Sequence, residues 1–118
     1  MRYENIIEIL LSKFPEISKI YDEERDYIGD LPHLVFEILF VPYFKKIMES
    51  GNQEGKIKAT ELLEEMIKCE DEKVQEVVVV SVLESLLPER DFLEKTRNQL
   101  GLRTQESLRT LEKYFGWI

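Results

Sequence analysis

The sequence predicts a compact, all-α bundle of about six or seven helices. Apolar residues recur every three or four positions along most of the chain, which is the spacing of one face of a helix. Proline and glycine divide these stretches into segments of helical length. Apolar residues make up 43% and charged residues 34% of the 118 positions, a mixture typical of a folded domain. A chain of this length forms one core, so we expect a single domain over residues 1–118.

The first two helices are predicted at residues 3–14 and 16–28. Pro15 separates them, because the residue before a proline avoids helical backbone. Gly29 is expected to end the second helix. One side of that helix is charged throughout and includes Asp22, Glu23, Glu24 and Asp26.

The third predicted helix, near residues 32–50, is the most apolar and is expected to lie at the centre of the bundle. Asp30 is predicted to cap it, with Pro32 in its first turn, where a missing N–H matters little. Pro42 lies inside this segment. A proline there is expected to kink or split the helix near Leu39–Val41.

The middle of the chain is predicted as a loop, a surface helix and a valine-rich helix. Two glycines and an asparagine indicate a loop at residues 50–55, and a charged amphipathic helix follows from Ile57 to Ile67. The run at residues 74–83 is rich in β-branched residues, which favour strands. Its apolar stripe nevertheless has helical spacing and the sequence offers no partner strand, so we predict a helix.

The C-terminal part is predicted to hold two shorter helices. Pro88 ends the valine-rich helix, and Gly101 stops the helix that follows. The last helix is predicted from Thr104, as its cap, to Phe115. The chain then ends on Trp117 and Ile118, which either dock into the core or form an exposed anchor.

The charge distribution separates an acidic body from a mildly basic tail. Residues 1–89 hold 20 acidic and 10 basic side chains, whereas residues 90–118 hold 4 acidic and 6 basic ones. The net charge of −8 argues against nucleic-acid binding, which needs clustered Lys and Arg. No apolar run is long enough to span a bilayer, and no secretory signal is visible. We therefore expect a cytoplasmic protein with no membrane contact.

The numbers of histidine and cysteine residues exclude the commonest kinds of catalytic and metal site. With one histidine and one cysteine, neither a nucleophilic triad nor a paired-histidine metal site has all its parts. His33 is interpreted as a packed or capping residue, and Cys69 as inert. We expect no catalytic residue, no metal and no cofactor. An open alternative is a small-ligand pocket beside Pro42 that uses His33, Glu37 and Tyr43.

The remaining signals concern surfaces. Dense carboxylates attract basic proteins by electrostatic steering, and a merely solvated face is equally compatible with them. The predicted partner-binding residues are Asp22, Glu23, Glu24, Asp26, Glu61, Glu64 and Glu65. A further alternative is a structural homodimer sealed by Trp117 and Ile118.

Two segments of the sequence resemble a known group of proteins: residues 72–77 followed by 82–86, and residues 100–108. They read EKVQEV, VLESL and LGLRTQESL, and they resemble small bacterial all-α proteins that act as immunity factors beside polymorphic toxins. The resemblance implies tight binding to a toxin, often a nuclease with a basic active site, although no inhibitory residue can be identified. The helix-turn-helix at residues 57–87 also resembles stacked helix pairs of the HEAT type.

Overall fold

Seven helices and no strand make up the fold of residues 1–118, all of which the computed structural model describes. The predicted all-α class is confirmed, with 81% of the residues helical. The helices, with any irregular turns that belong to them, are α1 (Tyr3–Asn5 as a 3₁₀ turn, then Ile6–Lys13), α2 (Pro15–Ile28), α3 (Pro32–Val35, Phe36–Phe40 and Val41–Met48), α4 (Gln53–Ile67), α5 (Glu72–Glu76, Val77–Leu83 and Glu84–Leu86), α6 (Arg90–Thr96, then Arg97–Gln99 as a 3₁₀ turn) and α7 (Leu102–Tyr114).

The ends of α2 follow the predicted signals. Pro15 is its first residue, where the absent N–H has no partner to lose. Gly29 ends it with φ of 75°, a backbone conformation that side-chain-bearing residues rarely adopt. The Gly29 N–H donates to the Arg25 carbonyl at 2.9 Å, and its own carbonyl accepts the Tyr21 hydroxyl at 3.1 Å. These bonds close the C-terminus of α2.

The predicted cap of α3 is wrong by one residue. Leu31, not Asp30, is the N-cap, and its carbonyl accepts the Val35 N–H at 3.0 Å. Because Leu31 precedes Pro32, it is held in an extended conformation, so the chain enters the helix only at the proline. Asp30 makes no capping hydrogen bond and lies exposed.

Pro42 is accommodated by a wide turn, and α3 is not split. Residues Phe36–Phe40 form a π-helical segment in which the Val41 N–H donates to the Phe36 carbonyl. A proline lacks an N–H and its ring would meet the carbonyl four residues earlier in a regular helix. The wider π turn relieves both problems. The irregularity lies just before Pro42, as its position predicts.

Helix α3 is the central helix, as predicted. It contacts α1, α2, α4 and α5, and its phenylalanines form a stack of rings through the core. Phe40 lies 5.7 Å from Phe36 and 5.5 Å from Phe44, centroid to centroid. Phe14, between α1 and α2, and Phe92 of α6 extend the stack. The buried apolar side chains form one cluster of 30 residues.

The predicted loop at residues 50–55 is shorter in the structure, because α4 begins at Gln53. Asn52 caps it by accepting the Gly55 N–H at 2.9 Å. A side chain at Gly55 would bring its Cβ to 2.8 Å from Ile47 Cδ1. Gly55 therefore lies inside α4 and allows α4 to pack closely on α3. In the sequence, this glycine had indicated a loop.

The valine-rich run is a helix, as predicted, but not a regular one. Residues Val77–Leu83 of α5 form a second π-helical segment, in which the Glu84 N–H donates to the Val79 carbonyl. This segment packs against the π segment of α3. Helices α4 and α5 also pack on each other, and the HEAT-type stacking stays a prediction.

Helix α7 begins two residues before the predicted cap. Gly101 is its N-cap, and Thr104 lies inside its first turn. Thr104 is fully buried, and a carboxylate from another helix replaces it as the cap. None of the helices has the length and apolar character that crossing a membrane requires.

Candidate partner-binding surface

The outer side of α2 carries an exposed stripe of two apolar and two acidic residues. Ile17, Tyr21 and Ile28 point into the core. Ile20, Glu23, Glu24 and Tyr27, which we call the α2 stripe, follow the spacing of three, four and seven residues that aligns side chains on a helix. Tyr27 is 93% exposed and Ile20 is 45% exposed. An aromatic and an aliphatic side chain thus stand in solvent between carboxylates.

The carboxylates around this stripe are exposed and carry no counter-charge. Asp22, Glu23, Glu24 and Asp26 take part in none of the three ion pairs of the structure, which are Lys45–Glu89, Arg90–Glu112 and Arg97–Glu112. The one basic residue among them, Arg25, lies over the Tyr21 ring, 5.6 Å from its centroid. Together with the α2 stripe, Asp22 and Asp26 form what we call the α2 surface.

The three carboxylates of α4 that were predicted to bind a partner are not equally available to one. Glu61 and Glu65 are exposed, whereas Glu64 caps α7. Its carboxylate accepts the backbone N–H groups of Arg103 and Thr104, both at 3.0 Å, and the Thr104 hydroxyl at 2.8 Å. Burial raises the pKa of Glu64, but these hydrogen bonds and the charge of Lys68 outweigh it and lower the pKa overall. Glu64 is thus engaged within the fold.

The cavity beside Tyr43 is separate from His33 and Glu37. His33 and Tyr43 are ten residues apart on α3, or roughly 15 Å along the helix axis at ~1.5 Å per residue. Tyr43 lines a polar cavity of about 200 Å³ between α1, α2 and α4 that includes neither His33 nor Glu37. Burial, and then the charge of Glu16, raise the pKa of the Tyr43 hydroxyl. Glu37 is exposed.

His33 ties α3 to α5. Its Nδ1 forms a hydrogen bond of 2.8 Å with the hydroxyl of Ser81, which is only 4% exposed. A serine and a histidine at this distance resemble a nucleophile and its base. No carboxylate is hydrogen-bonded to the imidazole, however, and Ser81 lies beneath the surface of α5. The contact satisfies a buried hydroxyl, which agrees with the interpretation of His33 as a packed residue.

The structure places no three His, Cys, Asp or Glu side chains close enough together to hold a metal ion. Cys69 is a free, half-buried thiol whose Sγ lies 3.1 Å from the Met1 carbonyl oxygen. Near Cys69, the Asp71 carboxylate accepts hydrogen bonds from the backbone N–H groups of Tyr3 at 2.9 Å and Lys73 at 3.0 Å. The first of these bonds contributes most to lowering the pKa of Asp71. These contacts join the start of α1 to α5.

Trp117 and Ile118 were predicted either to dock into the core or to form an exposed anchor, and the structure has features of both. The Trp117 N–H donates to the Glu112 carbonyl at 2.7 Å, and its ring lies 4.9 Å from the guanidinium carbon of Arg90. The two side chains nevertheless remain 46% and 62% exposed. The tail is therefore fastened to the protein by its backbone and one ring, while much of its apolar surface faces solvent.

One charged cluster was missed at the level of the sequence. Glu112, only 1% exposed, accepts two hydrogen bonds from Arg97, at 2.8 and 2.6 Å, and one from Arg90 at 2.5 Å. The Arg97 bonds, helped by Arg90, hold the pKa of Glu112 at about 2, although burial opposes this shift. The basic tail was visible in the sequence, but the seven-residue spacing of the arginines does not reveal their shared partner.

Comparison with known proteins yields one family. Neither the curated proteins nor the solved structures contain a match. The family model described as Domain of unknown function (DUF7674) matches residues 7–116, a span from α1 to the end of α7. The chain therefore belongs to the DUF7674 family.

Proposed function

We propose that this domain is a non-catalytic binding protein that holds a basic protein partner on its α2 surface. The observation that carries the proposal is the exposure of Tyr27, at 93%, among carboxylates that have no ion-pair partner. Binding energy at protein interfaces concentrates in a few aromatic and charged residues, and Tyr is enriched among them. The surrounding charge steers a complementary partner and speeds its association.

The partner class follows from the sign of this surface. Within residues 22–26 four carboxylates accompany a single arginine, so a partner should present lysine and arginine side chains. The resemblance to immunity factors suggests a toxin domain with a basic active site. We accordingly infer an immunity-type role in the cytoplasm of a bacterium, where the free thiol of Cys69 would stay reduced.

The test compares capture of partners from the host by three forms of the protein. The first is wild type, the second carries Glu23→Lys and Glu24→Lys, and the third carries Glu8→Lys and Glu94→Lys. All four glutamates are exposed and unpaired, so the two double variants change the net charge equally. A partner retained by wild type and by the third form, but lost from the second, supports the proposal. Equal retention by both double variants contradicts it.

Tyr27→Ala then separates a specific interface from charge attraction alone. Truncation of an aromatic anchor typically costs about 2 kcal/mol or more of binding energy, which corresponds to a roughly thirtyfold weaker Kd. Titration calorimetry with the captured partner measures this change. A parallel double variant, Glu61→Lys with Glu65→Lys, tests whether the exposed carboxylates of α4 belong to the same interface.

A homodimer through the C-terminal tail is a second candidate, and the exposed apolar side chains of that region favour it. Tyr114 is 81% exposed and Phe115 is 49% exposed, beside the half-exposed Trp117 and Ile118. Sedimentation equilibrium would then give twice the 14.0 kDa mass of one chain. Deletion of residues 116–118 would return the monomer mass, whereas a wild-type monomer would contradict the dimer.

A further inference from the structure

The outer side of α3 carries an exposed row of apolar side chains. Leu31, Leu34 and Ile38 are 57%, 37% and 47% exposed, and their spacing of three and four residues places them along one side of the helix. Pro42, four residues after Ile38, is exposed in the same register. Apolar residues cover nearly the whole circumference of α3, which is typical of a helix with neighbours on several sides. This side has no neighbour.

The row on α3 borders the exposed side of α2. The two helices are joined by only three residues, Gly29–Leu31, and α2 packs against the π segment of α3. Glu16 of α2 and Tyr43 of α3 line one cavity, so the side of α2 that carries Glu16 is turned toward α3. Ile20 follows Glu16 by four residues and Tyr27 follows Ile20 by seven, which keeps both on that side. We call the two adjacent apolar rows the hairpin face, which consists of Ile20, Tyr27, Leu31, Leu34 and Ile38.

The surroundings of the hairpin face are acidic. Residues 15–42 hold seven carboxylates and two basic side chains, a net charge of −5. These are the four carboxylates of the α2 surface, Glu16, Asp30 and Glu37, with Lys19 and Arg25 as the basic pair. All nine side chains are exposed, and none takes part in an ion pair. Lys45, Lys46 and Glu49, which follow on α3, change the total only to −4.

An apolar face with acidic surroundings fits a basic amphipathic helix. Ile20 and Tyr27 on α2, like Leu31 and Ile38 on α3, are seven residues apart, or ~10 Å at ~1.5 Å per residue. Two turns of a bound helix would present apolar side chains over the same length. Packed helices lie ~8–10 Å apart, so a third helix can contact both rows at once. The chain has no strand, and therefore no sheet edge for an extended segment to pair with.

We propose that the hairpin face binds an amphipathic helix of the partner, whose lysine and arginine side chains meet the surrounding carboxylates. This inference rests on the function proposed above, and it names the kind of segment that the basic partner would present. It also adds the exposed row of α3 to the interface. A second copy of the chain is a poorer occupant, because two faces of the same negative charge would repel each other.

The test is fluorescence anisotropy of the full chain with a labelled peptide of leucine and lysine, about four helical turns long, in which leucine recurs every three or four residues. A scrambled peptide of the same composition is the control probe. Leu34→Ala with Ile38→Ala trims the α3 row without changing the charge. Ile57→Ala with Leu102→Ala trims two exposed aliphatic side chains of α4 and α7 as the matched control. We expect saturable binding of the amphipathic peptide that the α3 pair weakens about tenfold and the control pair leaves nearly unchanged.

Equal binding of the amphipathic and scrambled peptides would show attraction by charge alone and overturn the proposal. Equal effects of the two double variants would overturn it as well, because the α3 row would then contribute nothing specific. Circular dichroism checks that each variant keeps its helix content. If the α3 pair loses it, Leu31→Ala, at the most exposed position of the row, takes its place with the same expected direction.

The captured partner separates this proposal from the function on which it rests. Loss of the partner from the α3 pair and from Glu23→Lys with Glu24→Lys supports both. Loss from the glutamate variant alone, with wild-type affinity of the α3 pair, overturns the helix on the hairpin face and leaves the α2 surface as the binding site. Retention by both variants contradicts both proposals.

Discussion

At the scale of single residues, two carboxylates each join a pair of helices through three hydrogen bonds. Glu64 accepts three hydrogen bonds from Arg103 and Thr104, and Glu112 accepts three from Arg90 and Arg97. Most other carboxylates of the chain are exposed and make no ion pair. Composition alone treats all 24 acidic residues alike, so only the structure separates the engaged ones from those free to meet a partner.

Glu64→Ala should destabilise the protein, because it leaves the first N–H groups of α7 without an acceptor. Loss of a helix cap costs about 1–2 kcal/mol of unfolding free energy. Urea denaturation followed by circular dichroism measures the change. Glu61→Ala, an exposed position on the same helix, should change the stability by less than about 0.5 kcal/mol. Equal effects of the two substitutions would contradict the capping role.

Stability should fall in acid through Glu112. Its pKa is about 2 in the folded protein and 4.5 in the unfolded chain. Because the folded value is the lower one, this contribution is complete above pH 4.5 and disappears as the pH falls toward 2. At ~1.36 kcal/mol per unit the full contribution is on the order of 3 kcal/mol.

Glu112→Gln should therefore flatten the decline of unfolding free energy over that acid range, measured by urea denaturation at several pH values. Glu106→Gln is the control, because Glu106 is exposed on the same helix and makes no side-chain hydrogen bond. A Glu112→Gln profile parallel to that of wild type would show that Glu112 does not carry the shift.

At the scale of helices, the sequence predicted which segments are helical but not how their ends are made. Apolar periodicity and the prolines located all seven helices. The start of α7 was misplaced because its cap, Glu64, lies about forty residues away in the chain. The start of α4 was misplaced because Gly55 serves close packing on Ile47, which no local pattern shows. The π turns likewise depend on how α3 and α5 fit together.

Gly101→Ala should destabilise the protein by disturbing the Glu64 cap of α7. A Cβ at Gly101 would lie 2.3 Å from Oε1 of Glu64 and would displace the carboxylate from α7. We expect a loss of about 1–2 kcal/mol, similar to that of Glu64→Ala. The two changes remove one interaction, so the double variant should be about as stable as either single variant. Additive losses in a double-mutant cycle would show that the two residues act independently.

At the scale of the whole molecule, the phenylalanine stack joins the helices into one core. Phe40 is fully buried among Phe14, Phe36 and Phe44. Phe40→Ala should cost about 3–5 kcal/mol of unfolding free energy. Ile38→Ala, which is 47% exposed on the same helix, should cost far less. A similar, small loss at both positions would contradict the central place of α3.

The surface of the whole molecule was only partly predictable. The acidic run of α2 was visible because charges outside an apolar stripe must face solvent. The cluster of Arg90, Arg97 and Glu112 was not, because it forms only when α6 and α7 pack together. The pocket of His33, Glu37 and Tyr43 stays a prediction, because the cavity that Tyr43 lines includes neither of the other two residues.

The most direct test of the proposed function is hydrogen exchange of the protein with and without its captured partner, read by mass spectrometry. The proposal predicts that added protection on binding is centred on residues 20–27, which contain the α2 stripe. Protection elsewhere, with α2 exchanging at the same rate in both states, would contradict it.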